Sequence, residues 1–206
     1  MSIQLGRLVA GICLVLAVGF GAVSPADAQP GTSGGEWRYY GGDLASTKYS
    51  PLDQIDRDNV DQLDIAWRWR TDNFGPRLDF YFQATPLMIG GVLYTTAGWS
   101  RNVVAIDAAT GETLWMYRLD EGERGSRAPI RAAAGRGVAY WSDGRGDDRI
   151  IHVTRGYRLV ALDAATGLPV SAFGDDGMVD LCENLDTGLD RPPLEPGQFG
   201  VLSPAT

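Results

Sequence analysis

The sequence predicts an all-β protein, a partial β-propeller of about two four-stranded antiparallel blades, and three observations predict it. The first is a phrase written twice. Val104-Ala105-Ile106-Asp107-Ala108-Ala109-Thr110-Gly111 returns as Val160-Ala161-Leu162-Asp163-Ala164-Ala165-Thr166-Gly167, with 56 residues separating Ala105 from Ala161. A repeat of that length is one supersecondary unit stacked on its copy, and a unit of several short strands is a propeller blade. The second is a run of short β-rich segments parted by Gly or Asp turns. The third is that no stretch after residue 28 shows sustained helical periodicity, while 27 glycines suit many tight turns.

Taken in order, the chain opens with Arg7, an apolar stretch from Leu8 to Val23, and Ala26-Asp27-Ala28. A basic flank, a hydrophobic segment and a small-x-small site predict a cleaved secretory signal peptide over residues 1–28. The apolar stretch is short for a membrane span. Cleavage removes Cys13 and leaves Cys182 alone, so an exported chain must be held by its core and not by an internal disulfide. The composition of the 206 residues, 44% hydrophobic and 21% charged, is that of a globular protein. The formal net charge of −8 and the lack of a basic stripe exclude nucleic acid as a partner, and an anionic membrane surface would repel the chain.

Residues 29–36 are small and polar and read as a flexible arm. Residues 37–71 read as an ordered lead-in that ends in Ala66-Trp67-Arg68-Trp69-Arg70-Thr71, whose alternation marks a strand with one buried face. The expected strands beyond it are Ala84–Ile89, Val92–Thr96, Val103–Asp107 and Thr113–Leu119, then Gly137–Trp141, Ile150–Thr154, Arg158–Asp163 and Pro169–Phe173. The segment 121–135 between the two groups carries no strand pattern. In each repeat, Asp107 or Asp163 can accept hydrogen bonds from amides two or three residues on. Gly111 or Gly167 then supplies the positive φ that closes the turn, a structural role.

Ala105-x-Asp107-x-x-Thr110-Gly111-x-x-x-Trp115 resembles the tryptophan-docking motif of quinoprotein propellers. The lead-in Trp37…Gly42-Asp43…Tyr49-Ser50-Pro51-Leu52…Ile55…Asn59-Val60…Leu63…Ala66-Trp67 resembles the opening of pyrroloquinoline quinone (PQQ)-dependent dehydrogenases, as does Gly135-Arg136-Gly137-Val138-Ala139-Tyr140-Trp141. The resemblance runs from residue 37 to the C-terminus. It implies an eight-bladed propeller of which residues 37–206 form the N-terminal part, exported to the periplasm. Trp115 would wedge between adjacent blades, burying a flat side chain where two sheets meet. The second copy departs from the motif, with Ser171 where the tryptophan would stand and Phe173 two further on. The run Phe173-Gly174-Asp175-Asp176-Gly177 resembles the glucose or alcohol dehydrogenase branches.

On the same resemblance, Arg136 matches an arginine that contacts PQQ, a cofactor rich in carboxylates that a guanidinium grips bidentately. Gln83, before Ala84-Thr85-Pro86, stands where the family often has a glutamate near the quinone. Ile130 and Arg131 occupy the places of the adjacent cysteines found in the methanol and alcohol dehydrogenase branch, which tilts the reading toward the glucose dehydrogenase-like branch. The family oxidises a sugar or alcohol by Ca²⁺-assisted hydride transfer to PQQ, with an aspartate taking the hydroxyl proton, and passes electrons to cytochrome c or a quinone. Its calcium ligands and that aspartate lie on later blades, so no catalytic or metal residue is expected within this chain. Eight units at this spacing need roughly 450 residues. The chain is accordingly expected to be inactive alone and, with open sheet edges, to self-associate.

The other reading is a non-enzymatic propeller that uses the docking motif for protein–protein contact. Asp143, Asp147 and Asp148 read as a solvated turn, Arg145-Gly146-Asp147 as a chance tripeptide, and His152 as a structural histidine in a strand.

Overall fold

The computed structural model describes residues 31–71, 74, 82–128, 135–183, 201 and 203–205. The predicted signal peptide, Ile130 and Arg131 lie outside the described residues. The strands are β1 Leu87–Ile89, β2 Val92–Ala97, β3 Asn102–Asp107 and β4 Thr113–Tyr117, then β5 Ala139–Ser142, β6 Asp148–Val153, β7 Arg158–Asp163 and β8 Met178–Asp180. They form two antiparallel sheets ordered β1-β2-β3-β4 and β5-β6-β7-β8. This meander is the expected pair of blades.

Alternation along β3 shows why the repeat phrase sits where it does. Val103 and Ala105 point into the cluster between the sheets, which also holds Leu87, Tyr94, Val138, Ile150, Val160 and Leu162. Val104 and Ile106 point to the opposite face, onto Phe74, Ala97, Trp67 and Trp69. A strand covered on both faces reads as a continuous apolar run, and a period of two then assigns each residue to one layer or the other. Between β3 and β4 the register shifts at Ala105 and Ile106, so that Leu114 is the extra, half-exposed residue.

The aromatic–basic run 66–71 keeps its predicted alternation. Trp67, Trp69 and Thr71 are half-buried and Arg68 and Arg70 exposed. The run is not part of a ladder among the described residues; it lies across the outer face of the first sheet, with Trp69 Nε1 donating to Thr113 Oγ1 at 2.9 Å. Trp37 extends the first sheet by an antiparallel bridge to Met88.

Three differences from expectation have physical reasons. Within the stretch read as an arm, Thr32 is buried, the Gly31 carbonyl accepts from Arg38 N, and the Glu36 carboxylate accepts from Gly90 N at 3.0 Å. These bonds fasten residues 31–36 to the β1–β2 turn. The last strand of the second blade is Met178–Asp180 and not Pro169–Phe173. Pro169 lacks an amide for the ladder and makes only an isolated bridge to Leu162; after the Val170 amide donates to Ala161 O at 2.9 Å the chain leaves the sheet, returning where Gly177 O accepts from Ala161 N at 3.0 Å. The excursion closes on Asp176 (φ 47) and Gly177 (φ 91), with Gly177 N donating to Phe173 O at 2.8 Å. The connector 121–135 contains a short helix, α1 Gly122–Arg127, whose Gly-rich sequence carries no helical periodicity to predict it.

Candidate functional site

Both repeat turns fold as their chemistry requires. Asp107 Oδ1 accepts from the amides of Ala109 and Thr110 and from the Thr110 hydroxyl, and Asp163 Oδ1 accepts from Thr166 N and Oγ1. Gly111 and Gly167 take φ of 76° and 71°. The absent side chain matters for more than the turn. A Cβ on Gly167 would stand 2.5 Å from Trp115 Cε3, so the indole lies flat on the glycine. Trp115 Nε1 donates to Ala164 O at 3.0 Å, and Tyr94 Oη donates to the same carbonyl at 3.1 Å. One buried carbonyl thus has both lone pairs filled from the neighbouring sheet. Burial raises the Tyr94 hydroxyl to about 12, so it remains a donor.

Trp67 does at Gly111 what Trp115 does at Gly167. Its Nε1 donates to Ala108 O at 3.0 Å, and a Cβ on Gly111 would stand 2.7 Å from its ring. Sequence reasoning placed Trp67 in the lead-in and missed this role. At the second repeat Ser171 is exposed, and Phe173 is half-buried within the excursion.

The two predicted cofactor residues sit at the entrances to β1 and β5. The Thr85 amide donates to the Arg136 carbonyl at 3.0 Å, which joins the entering segment of one blade to that of the next. Gly137 permits this approach, because a Cβ there would lie 2.8 Å from the Thr85 carbonyl at a φ of +118°. Gln83, two residues before Thr85, is exposed. Arg136 is half-buried, and among the described residues its guanidinium makes no hydrogen bond or ion pair. The structure thus brings the two backbone segments together, and a half-buried arginine next to them without a polar partner among the described residues fits a carboxylate-bearing ligand.

The connector carries a polar network that sequence reasoning missed. The Glu121 carboxylate, with 6% side-chain exposure, accepts from Thr154 Oγ1 and from Gly156 N, each at 2.7 Å, with Arg158 Nη1 at 3.8 Å. Arg124 forks onto both oxygens of Asp180 and donates through Nε to Gly156 O. That fork holds the Asp180 carboxyl below the usual carboxylate range. The network fastens α1 to the β6–β7 turn and to β8. Its only sequence signal is charge of both signs in a turn-rich segment. Beside it lies a cavity of about 730 Å³ lined by Trp99, Arg118, Glu121, Ser126 and Arg155, but not by Gln83 or Arg136.

His152, in β6, is buried as a structural histidine. Desolvation and the nearby Arg101 push its pKa down to about 3. Asp143 caps its own loop by accepting from Arg145 N and Asp147 N, and Asp147 pairs with Arg149, so these acids form a self-satisfied turn. Among the described residues no group of three or more His, Cys, Asp or Glu could hold a metal ion.

Comparison with known proteins matches this architecture. The family described as "PQQ: Glucose/ethanol/alcohol dehydrogenase, beta-propeller domain" covers residues 37–206. The chain is 42% identical over 135 residues to the quinohemoprotein alcohol dehydrogenase ADH IIB of Pseudomonas putida, covering 66% of this chain and 18% of that protein. It is 36% identical over 135 residues to the 1-butanol dehydrogenase (cytochrome c) of Thauera butanivorans, with the same coverage. The crystal structure of the quinohemoprotein alcohol dehydrogenase from Comamonas testosteroni superposes with a TM-score of 0.60 at 30% identity, over 79% of this chain and 22% of that one. The chain therefore spans about a fifth of the length of these relatives. Two blades in meander order, sealed by indoles lying on repeat-turn glycines, and a family match from residue 37 onward make this chain a member of the PQQ-dependent glucose/ethanol/alcohol dehydrogenase β-propeller family.

Proposed function

We propose that this chain supplies the first blades of an exported, periplasmic PQQ-dependent dehydrogenase that oxidises the CH–OH group of an alcohol or sugar and hands electrons to a cytochrome c or a quinone. The observation that carries the reading is Arg136, half-buried next to the Thr85–Arg136 backbone bond, whose guanidinium makes no hydrogen bond or ion pair among the described residues. PQQ, when bound, supplies a quinone carbonyl that accepts hydride from the carbinol carbon. This chain's part is to bind and orient. Arg136 would hold a cofactor carboxylate through its guanidinium, and Gln83 would offer its amide to a neighbouring oxygen. The Thr85–Arg136 backbone bond joins the two blade entrances, and Trp115 ties the first blade to the repeat turn of the second.

The test is reconstitution of the complete apo-protein with PQQ and Ca²⁺, followed by dye reduction with primary alcohols and with glucose. Wild type gains activity, and Arg136→Ala weakens PQQ binding by about 10- to 100-fold, the loss of one charge-assisted contact. Unchanged affinity in Arg136→Ala would remove Arg136 from the site. A wild-type protein that takes up no PQQ would leave the propeller as a non-catalytic scaffold.

A further inference from the structure

We propose that Arg101 is a positioning residue for the Arg136 contact: its stem is the surface on which the Gly135 backbone rests, and its guanidinium ties that surface to the second blade. The proposal rests on the reading of Arg136 as a carboxylate-binding residue and deepens it.

Arg101 lies in the β2–β3 turn, where arginine ordinarily reaches into solvent. Here it is 3% exposed. Its amide closes the turn onto Gly98 O at 3.0 Å, and its backbone takes the left-handed conformation (φ 54), which is uncommon for a non-glycine residue. The side chain thereby enters the space between the blades. Nη1 donates to Val153 O at 3.0 Å, at the end of β6. A Cβ on Gly135 would stand 2.7 Å from Arg101 Nε and 2.9 Å from Cδ, so the Gly135 backbone lies in contact with the arginine stem. Gly135 is buried, with φ +64°.

The next residue is Arg136, whose carbonyl is fixed by Thr85 N. The segment that presents the cofactor arginine is therefore held at two points, Thr85 and Arg101, and both belong to the preceding blade. Burial and the neighbouring Arg155 lower the Arg101 pKa to about 10, with Glu121 opposing them, so the guanidinium stays charged near neutrality. A residue of this kind does not touch the cofactor. It sets where the residue that does is aimed, and a displacement of about an ångström at such a contact is enough to degrade it.

The test uses the complete apo-protein in the presence of Ca²⁺, titrated with PQQ and followed by tryptophan fluorescence, with melting temperature measured in parallel. Arg101→Met and Gly135→Ala are expected to weaken PQQ affinity by about tenfold or more, as for a lost charge-assisted contact. Arg101→Lys, which keeps one donor for Val153 O, is expected to weaken it less. In an Arg136→Ala background, Arg101→Met should change PQQ affinity no further, because its effect passes through Arg136. A purely structural arginine would lower the melting temperature and leave the affinity of the folded protein unchanged, and that result overturns the proposal. So does an additive double mutant. Should Arg101→Met fail to fold, Arg101→Lys and Gly135→Ala carry the same comparison. Wild type that binds no PQQ refutes the cofactor reading itself; wild type that binds it, with variants binding equally well, refutes only the positioning role.

Discussion

Truncating Trp115 to alanine removes an indole that lies on Gly167 and donates to Ala164 O, and the seam geometry fixes what this should cost. A buried tryptophan cut to alanine loses about 3–5 kcal/mol. Trp115 is half-buried, which places it near 3 kcal/mol, with about 1 kcal/mol of that from the N–H···O bond. Gly167→Ala acts on the same seam from the other side. Its φ of 71° costs an L-residue about 1–2 kcal/mol. A methyl 2.5 Å from Cε3 of the ring adds about 1–3 kcal/mol of overpacking.

The two changes must therefore interact. Once the ring is gone the methyl loses its three closest contacts, so the double variant should lose about 1–3 kcal/mol less than the sum of the singles. The assay is urea unfolding of the complete protein at fixed pH, with the m-value checked for constancy across the four proteins. The Trp67→Ala and Gly111→Ala pair should couple with the same sign, since the approach there is 2.7 Å. Gly90→Ala is the control, because Gly90 has φ 58 and open space around its would-be Cβ. It should show only the backbone cost and no coupling to Trp115. Additivity within about 0.5 kcal/mol at the Trp115–Gly167 pair would refute the seam argument.

His152 is neutral in the fold to about pH 3 but protonates near 6.5 once unfolded, so the unfolded chain binds the extra proton and stability falls as pH drops from 6.5. At pH 5 the loss is about 2 kcal/mol, and His152→Leu should flatten that part of the pH–stability curve measured by thermal melts. Asp180 behaves in the usual carboxylate manner. Arg124 depresses its folded pKa, so its contribution is present above pH 4 and disappears as the pH falls through that lowered value. Asp180→Asn should cost about 1–3 kcal/mol at pH 7, and the gap to wild type should close on acidification in the same melts.

Much of the fold was legible because each blade writes its own turn. Asp107 and Asp163 close their loops with their own carboxylates, so local chemistry alone fixes where one strand ends and the next begins. Seven of the expected strands overlap observed ones. The eighth was misread because Pro169–Phe173 has a strand's composition, whereas the missing amide at Pro169 and the turn at Asp176-Gly177 act together at longer range. Trp67 was missed for a related reason. The docking motif places its tryptophan four residues after a glycine, as Trp115 follows Gly111, but Trp67 has no such glycine before it. Arg136 and Gln83 are proposed on resemblance alone, since an arginine between glycines has no local signal. The buried roles of Arg101 and Glu121 depend on the meeting of two blades, which no short window of sequence contains.

Each indole meets its partner carbonyl well downstream, Trp67 across 41 residues and Trp115 across 49. At a synthesis rate of about 5–20 residues per second, every closure waits some seconds for the ribosome to deliver its acceptor. Assembly on the ribosome would therefore run in one direction, each leaflet latched by the one emerging behind it. A truncated transcript would leave its final latch open, a handle that quality-control proteases and chaperones could grip.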